Sequence, residues 1–206
     1  MYNRRNFIQA SAAVSSVSVL AATLGAWPAG AATAASVTAP GRIDFYKVVF
    51  DREHPAAVAF GQVAGTKGLP AQAIGRDVTA LWYDDLYHRW RQGPAAIAGM
   101  TPPRVAYCLQ VLAQDSGLRM VFRAEHMPAA EGGLAHRVTG PKAMLDRARE
   151  LDKAADWPRA VAQLIAGCPA DFSGKSTVAL NSPSASGCAS RQPLVSWVIA
   201  APPSGA

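Results

Sequence analysis

Two hydrophobic periods alternate along residues 42–200. Phe45-Tyr46-Lys47-Val48-Val49-Phe50 is a β-branched and aromatic run ending at Asp51, and it reads as a strand. His54-Pro55 then opens Ala56 to Ala64, whose apolar spacing suits a short helix with proline in its first turn, closed by Gly65 and Gly68. Pro70 to Gly75 predicts a second, weaker strand. From Thr79 to Trp90 the residues Trp82, Leu86 and Trp90 recur every four positions, a helical period. Ala95 to Gly99 is a run of small apolar residues that suits a buried central strand. Thr101, as cap, and Pro102-Pro103 start a helix over Arg104 to Gln114, and Leu118 to Arg123 is another strand. The Gly-rich stretch Met127 to Gly140 predicts a hairpin. Pro141 to Ala166 is the longest helical pattern, kinked or broken at Trp157-Pro158. Leu194 to Ala200 is the last strand, and 171–192 reads as a flexible loop, too polar and small to pack much.

This alternation predicts an α/β domain over 42–200. The expected form is a three-layer sandwich with a mainly parallel central sheet of about five strands and right-handed crossovers. The alternative is an α+β domain whose final strand runs antiparallel at an edge. In an open parallel sheet, ligands bind beyond the carboxyl ends of the strands. That rule selects Asp51-Arg52-Glu53-His54, Arg76-Asp77, Gly99-Met100-Thr101 and Glu125-His126. The candidate ligand-binding residues are therefore Asp51, Glu53, His54, Asp77, Thr101, Glu125 and His126, which include two of the chain's four histidines.

Two chemistries suit such a rim. His54 and His126, with Asp51 or Glu125, make a ligand set for a divalent metal such as zinc or iron, although no tight ligand spacing is present. Asp51 or Glu53 beside a histidine makes a general acid–base pair near neutral pH. The plainer alternative has His54 before its proline as a helix cap and Glu125-His126 as a solvated strand end. Asp84, Asp85 and His88 read as an exposed helix face between Trp82, Leu86 and Trp90. The aromatics of Leu81 to Trp90 read first as core and second as a recognition surface flanked by Arg89 and Arg91.

The first 34 residues have a different character. Met1 to Gln9 is a short polar start, Ala10 to Trp27 carries no charge, and the small residues Ala29-Gly30-Ala31 and Ala32-Thr33-Ala34 follow. That order is that of a secretory signal. Asn3-Arg4-Arg5-Asn6-Phe7-Ile8-Gln9 resembles the twin-arginine export consensus through Arg4, Arg5 and Phe7, and departs from it in Asn3 and Gln9. The resemblance implies passage through the twin-arginine (Tat) translocase after folding, a mature start at Ala32 or Ala35, and a periplasmic or extracellular destination. No stable membrane span is expected after cleavage, because the apolar stretch is rich in Ala, Ser and Val rather than strongly hydrophobic.

Composition narrows the classes further. Half of the 206 residues are apolar and 17% are charged, which is globular. The net charge is +6, of which Arg4 and Arg5 supply two, and the remaining basic residues are scattered. Nucleic-acid binding wants a basic stripe with stacking aromatics and is not expected. Cys108 reads as a buried small hydrophobe. Cys168 and Cys188 bracket a Gly/Ser/Pro-rich segment, and an oxidising compartment makes a bridge between them the expected pairing, worth roughly 3 kcal/mol for a loop of about twenty residues.

Gly174-Lys175-Ser176-Thr177 imitates the end of a P-loop, but Pro169 stands where its first glycine belongs. Serine-hydrolase elbow, dinucleotide fingerprint and haem-attachment motifs are all missing. With no cofactor signature evident beyond an optional divalent metal, the expected function is an exported binding or accessory protein, partnering an exported oxidoreductase. A small exported enzyme using the rim is the alternative.

Overall fold

The computed structural model describes residues 41–129, 133–172, 174–183 and 192–202. Arg4, Arg5, Phe7 and Cys188 lie outside them. Seven strands form one sheet: β1 (Phe45–Asp51), β2 (Ala71–Ile74), β3 (Ala96–Thr101), β4 (Arg119–Pro128), β5 (Leu134–Pro141), β6 (Lys175–Ser182) and β7 (Leu194–Ala200). Their order is β2-β1-β3-β7-β4-β5-β6. Only β1–β2 and β1–β3 pair in parallel; the other four pairings are antiparallel.

The α/β class holds, but the mainly parallel five-strand sheet does not. Two features of the chain account for the difference. The last strand enters the middle of the sheet rather than an edge, running antiparallel to both β3 and β4. Its seven residues are all buried, as a continuous apolar run must be when both faces are covered. The second feature lies between 171 and 192, where a strand replaces the expected loop. In β6 only Leu180 and Ser182 are buried, so its composition hides it from a hydrophobic pattern; β5 supplies the ladder that orders it as an edge. Lys175 and Ser176 are extended there, which removes the helix start that a P-loop requires.

Helices cover both faces. On one side α1 (Pro55–Thr66), α5 (Lys142–Ala148) and α6 (Trp157–Ala166) pack over Phe122, Val138 and Val198. On the other, α2 (Thr79–Leu81), α3 (Tyr87–Arg91) and α4 (Pro103–Gln114) pack over Ile97, Val195 and Trp197. The long pattern from Pro141 to Ala166 is two helices joined by a 3₁₀ turn, Arg149–Lys153. Asp156 caps the second by accepting the Arg159 amide, with Pro158 in the first turn where its missing N–H costs nothing.

Between α2 and α3 the turn Trp82–Leu86 is a π-helix, with the Tyr87 amide bonded to the Trp82 carbonyl five residues back. The wider turn changes which side chains face inward. Leu81, Leu86 and Trp90 are buried, whereas Trp82 of the expected four-residue stripe is turned to the margin. No helix among the described residues is long and apolar enough to cross a membrane.

The topology creates one distinctive place. From β1 the chain crosses through α1 to β2 on one side, and from β3 it crosses through α4 toward β4 on the other. The turns after β1 and β3 therefore diverge across opposite faces of the sheet. Between them lies the switch point at which open α/β sheets bind ligands.

Candidate site at the strand switch point

A cleft of about 450 Å³ opens at that switch point, with His54, Arg76, Arg104 and Gln192 on its walls and Pro102-Pro103 at its edge. Asp51 is the last residue of β1 and wholly buried. Its Oδ1 accepts the Glu53 amide at 2.7 Å and stands 3.3 Å from His54 Nδ1, an ion-pair distance without hydrogen-bond alignment. Its Oδ2 is buried without a hydrogen-bond partner. The His54 ring is 11% exposed, and its Nε2 lies 3.2 Å from Gln192 Oε1. His54 and Gln192 both line the cleft. His54 occupies the N-cap position of α1 but its side chain makes no capping bond.

The rest of the predicted rim divides. Glu53 accepts Arg76 Nε at 2.5 Å, and this pair is largely exposed at the mouth. Asp77 turns away: its Oδ1 accepts the Thr79 hydroxyl at 2.6 Å and the Thr79 amide at 2.8 Å, and those bonds hold its carboxyl below the usual range. Thr101 does not cap α4, whose N-cap is Pro102; its buried hydroxyl accepts Trp197 Nε1 at 3.0 Å. Asp51, Glu53 and His54 thus come together with Arg76, while Asp77 and Thr101 serve local structure.

Glu125 and His126 are not at a strand end, because β4 continues to Pro128. Consecutive strand residues face opposite ways. Glu125 bonds Arg123 at 3.0 Å and lies 3.9 Å from Arg137, whereas His126 points into the core beneath α6. The metal set that needed His54 and His126 together is therefore separated. Among the described residues no group of three or more His, Cys, Asp and Glu side chains is placed to hold a metal ion.

His126 instead belongs to a buried polar cluster. Its Nδ1 lies 2.7 Å from Nδ1 of His136, its cross-strand partner on β5. His126 Nε2 meets Ser196 Oγ at 2.8 Å, and His136 Nε2 meets Ser182 Oγ at 2.8 Å. Trp157 of α6 packs on both rings, with centroids 4.6 Å and 5.7 Å away. Two neutral imidazoles share one proton on the Nδ1–Nδ1 line, so the three bonds run head to tail from one serine to the other. Burial holds His126 well below its usual pKa and pushes His136 down to about 4, the latter against the opposing pull of Asp152.

His136, Ser182, Ser196 and Trp157 escaped the sequence reading. A signal existed in the two strands themselves: the antiparallel register of β4 and β5 pairs His126 with His136. The cysteine readings also shift. Cys108, expected inside, is exposed on α4. Cys168 carries a free buried thiol that donates to Met144 Sδ at 3.2 Å, and burial pushes its pKa up to about 12.

No protein-family model matches this chain, and neither does any curated protein or solved structure.

Proposed function

We propose that this chain is an exported binding protein whose ligand is a small anion seated in the cleft between the turns after β1 and β3. The leader's likeness to twin-arginine signals supports export. The observation that carries the binding reading is the position of the cleft, at the switch point with Arg76, Arg104 and His54 on its walls. Arg76 is engaged by Glu53, but that pair is largely exposed, and such pairs are worth only about 0–1 kcal/mol. A ligand carboxylate or phosphate can replace Glu53 and gain the bidentate geometry that guanidinium favours. The positive end of α4 beside Arg104 adds to the same field.

A second reading follows from Asp51. A buried carboxylate against His54, itself facing the cleft, is the arrangement of a general base and its orienting group. It makes the alternative a small exported enzyme acting on the bound anion.

Calorimetric titration of the exported protein with inorganic phosphate, acetate and succinate tests the binding reading. At least one of these binds, and Arg104→Ala weakens it about tenfold, the loss of one charge-assisted contact. Absence of binding across the series, or an Arg104→Ala variant that binds unchanged, overturns it. The enzyme reading requires turnover of an ester or phosphoester that His54→Ala abolishes while binding persists.

A further inference from the structure

Beside the switch-point cleft lies a second one of about 380 Å³, between the π turn and α4. Val78, Trp82 and Tyr83 form one wall, and Tyr107, Cys108 and Val111 the other. The two clefts have no lining residue in common, but neighbouring residues of the same two segments line them. On α4, Arg104 lines the first, while Tyr107 and Cys108, three and four residues on, line the second and lie on the same helical face. On the opposite wall, Arg76 borders the first and Val78, two residues along, begins the second. A cationic end thus passes into an apolar trough.

The trough is exposed to an unusual degree for its composition. Tyr83 is 63%, Tyr107 64% and Val111 44% accessible, although large side chains of this kind are ordinarily covered. The π turn contributes directly, since it moves Trp82 out of the buried stripe and onto the trough wall. No acidic side chain lines the trough, and among the described residues Arg104 has no carboxylate partner.

We propose that the ligand is a single-chain anionic amphiphile, a long-chain carboxylate whose head group lies between Arg76 and Arg104 and whose alkyl chain runs along the trough. This assignment rests on the switch-point cleft being the anion site, and it names the ligand class. The charge step between the two clefts selects this occupant: one end offers guanidinium groups, the other a mostly aromatic and aliphatic surface with no charged side chain. A purely apolar partner leaves the arginines unanswered, and a short anion leaves the trough empty.

The test is a titration of the exported protein with unbranched carboxylates from butanoate to tetradecanoate, each below its micelle concentration, read by calorimetry and tryptophan fluorescence. Dissociation constants tighten about twofold to fourfold per added methylene until the trough is filled, then level off. Arg104→Ala loosens every member of the series by a similar factor, about tenfold. Val111→Asp, at an exposed helix position, loosens only the long members. Bound tetradecanoate also slows alkylation of Cys108.

Equal affinity for butanoate and tetradecanoate overturns the amphiphile while leaving the small-anion reading standing. Failure of every carboxylate removes the amphiphile, and with phosphate and succinate also silent it removes both. An alcohol of matching length that binds as tightly as the carboxylate refutes the anionic head. Self-association of the protein, or partition onto anionic vesicles without uptake of monomeric carboxylate, assigns the trough to a second copy or to a membrane surface instead.

Discussion

His126 and His136 face each other across β4 and β5 with their Nδ1 atoms 2.7 Å apart, both about 1% exposed and each tied at Nε2 to a serine. Neither ring has a carboxylate among these hydrogen-bond partners, so the pair is stable in its neutral form. An added proton would sit where water cannot solvate it.

The consequence for pH follows from the direction of the shifts. Both folded-state pKa values lie below the unfolded value near 6.5, with His136 at about 4 and His126 well depressed. Between pH 6.5 and about 4 the unfolded chain therefore binds protons that the folded chain refuses. Stability is fully present above pH 6.5 and falls as pH decreases through that window, by up to about 2.7 kcal/mol per pH unit for two histidines. Urea denaturation at pH 7, 6 and 5 measures the slope, and His136→Gln reduces it by about half. Equal stability at pH 7 and pH 5 would refute the buried neutral pair.

Gly99 and Trp197 are cross-strand neighbours on β3 and β7. A Cβ at Gly99 would stand 2.4 Å from the Val49 carbonyl oxygen and 2.7 Å from Trp197 Cζ2. One obstacle is backbone and the other a fully buried indole whose N–H is held by Thr101, so neither yields easily. Gly99→Ala costs about 1–3 kcal/mol or more, the range of core overpacking. Thr101→Val strands the Trp197 N–H and costs about 1–3 kcal/mol, whereas Thr101→Ser recovers most of it. Denaturation midpoints and near-ultraviolet circular dichroism follow both. Anion affinity is unchanged in Thr101→Val, which separates this structural role from a ligand-binding one.

The two described cysteines differ in reactivity for a physical reason. Cys108 is exposed on α4, while the Cys168 thiol is enclosed and its thiolate disfavoured, with a pKa of about 12. Native-state alkylation followed by peptide mapping labels Cys108 within minutes and leaves Cys168 unmodified until denaturant is added. Comparable rates at the two positions would show that the α5–α6 core opens readily.

Much of the local structure was legible in the residues. The runs at Phe45, Ala95 and Leu194 are strands because their apolar, β-branched or small side chains suit a covered sheet. The grouping of Asp51, Glu53, His54 and Arg76 was partly recoverable, since the ends of β1 and β2 could be read along the chain, but the switch point between β1 and β3 depends on their order in the sheet. The order and directions of the strands in the sheet were not. A pattern that alternates strand and helix is satisfied equally by a parallel neighbour or by an antiparallel strand returning from far along the chain, as β7 does. The edge strand β6 escaped because an edge needs only one covered face and a paired backbone, and neither leaves a hydrophobic run.

The chain's own order of residues determined the strand runs at Phe45, Ala95 and Leu194 and the helices opened by Pro55 and Pro103, and that the turn after β1 carries two carboxylates, an arginine and a histidine. Those are properties of side chains acting on their immediate backbone. Tertiary structure decided the rest: that His126 meets His136 in the core instead of His54 at a rim, and that Arg104 and Arg76 flank one cleft. It also decided that a π turn moves Trp82 from the buried stripe to the margin of the core. Each of these depends on which distant strand or helix occupies the adjacent place. That choice is set by total burial and backbone pairing over the whole domain, quantities that no local stretch of sequence contains.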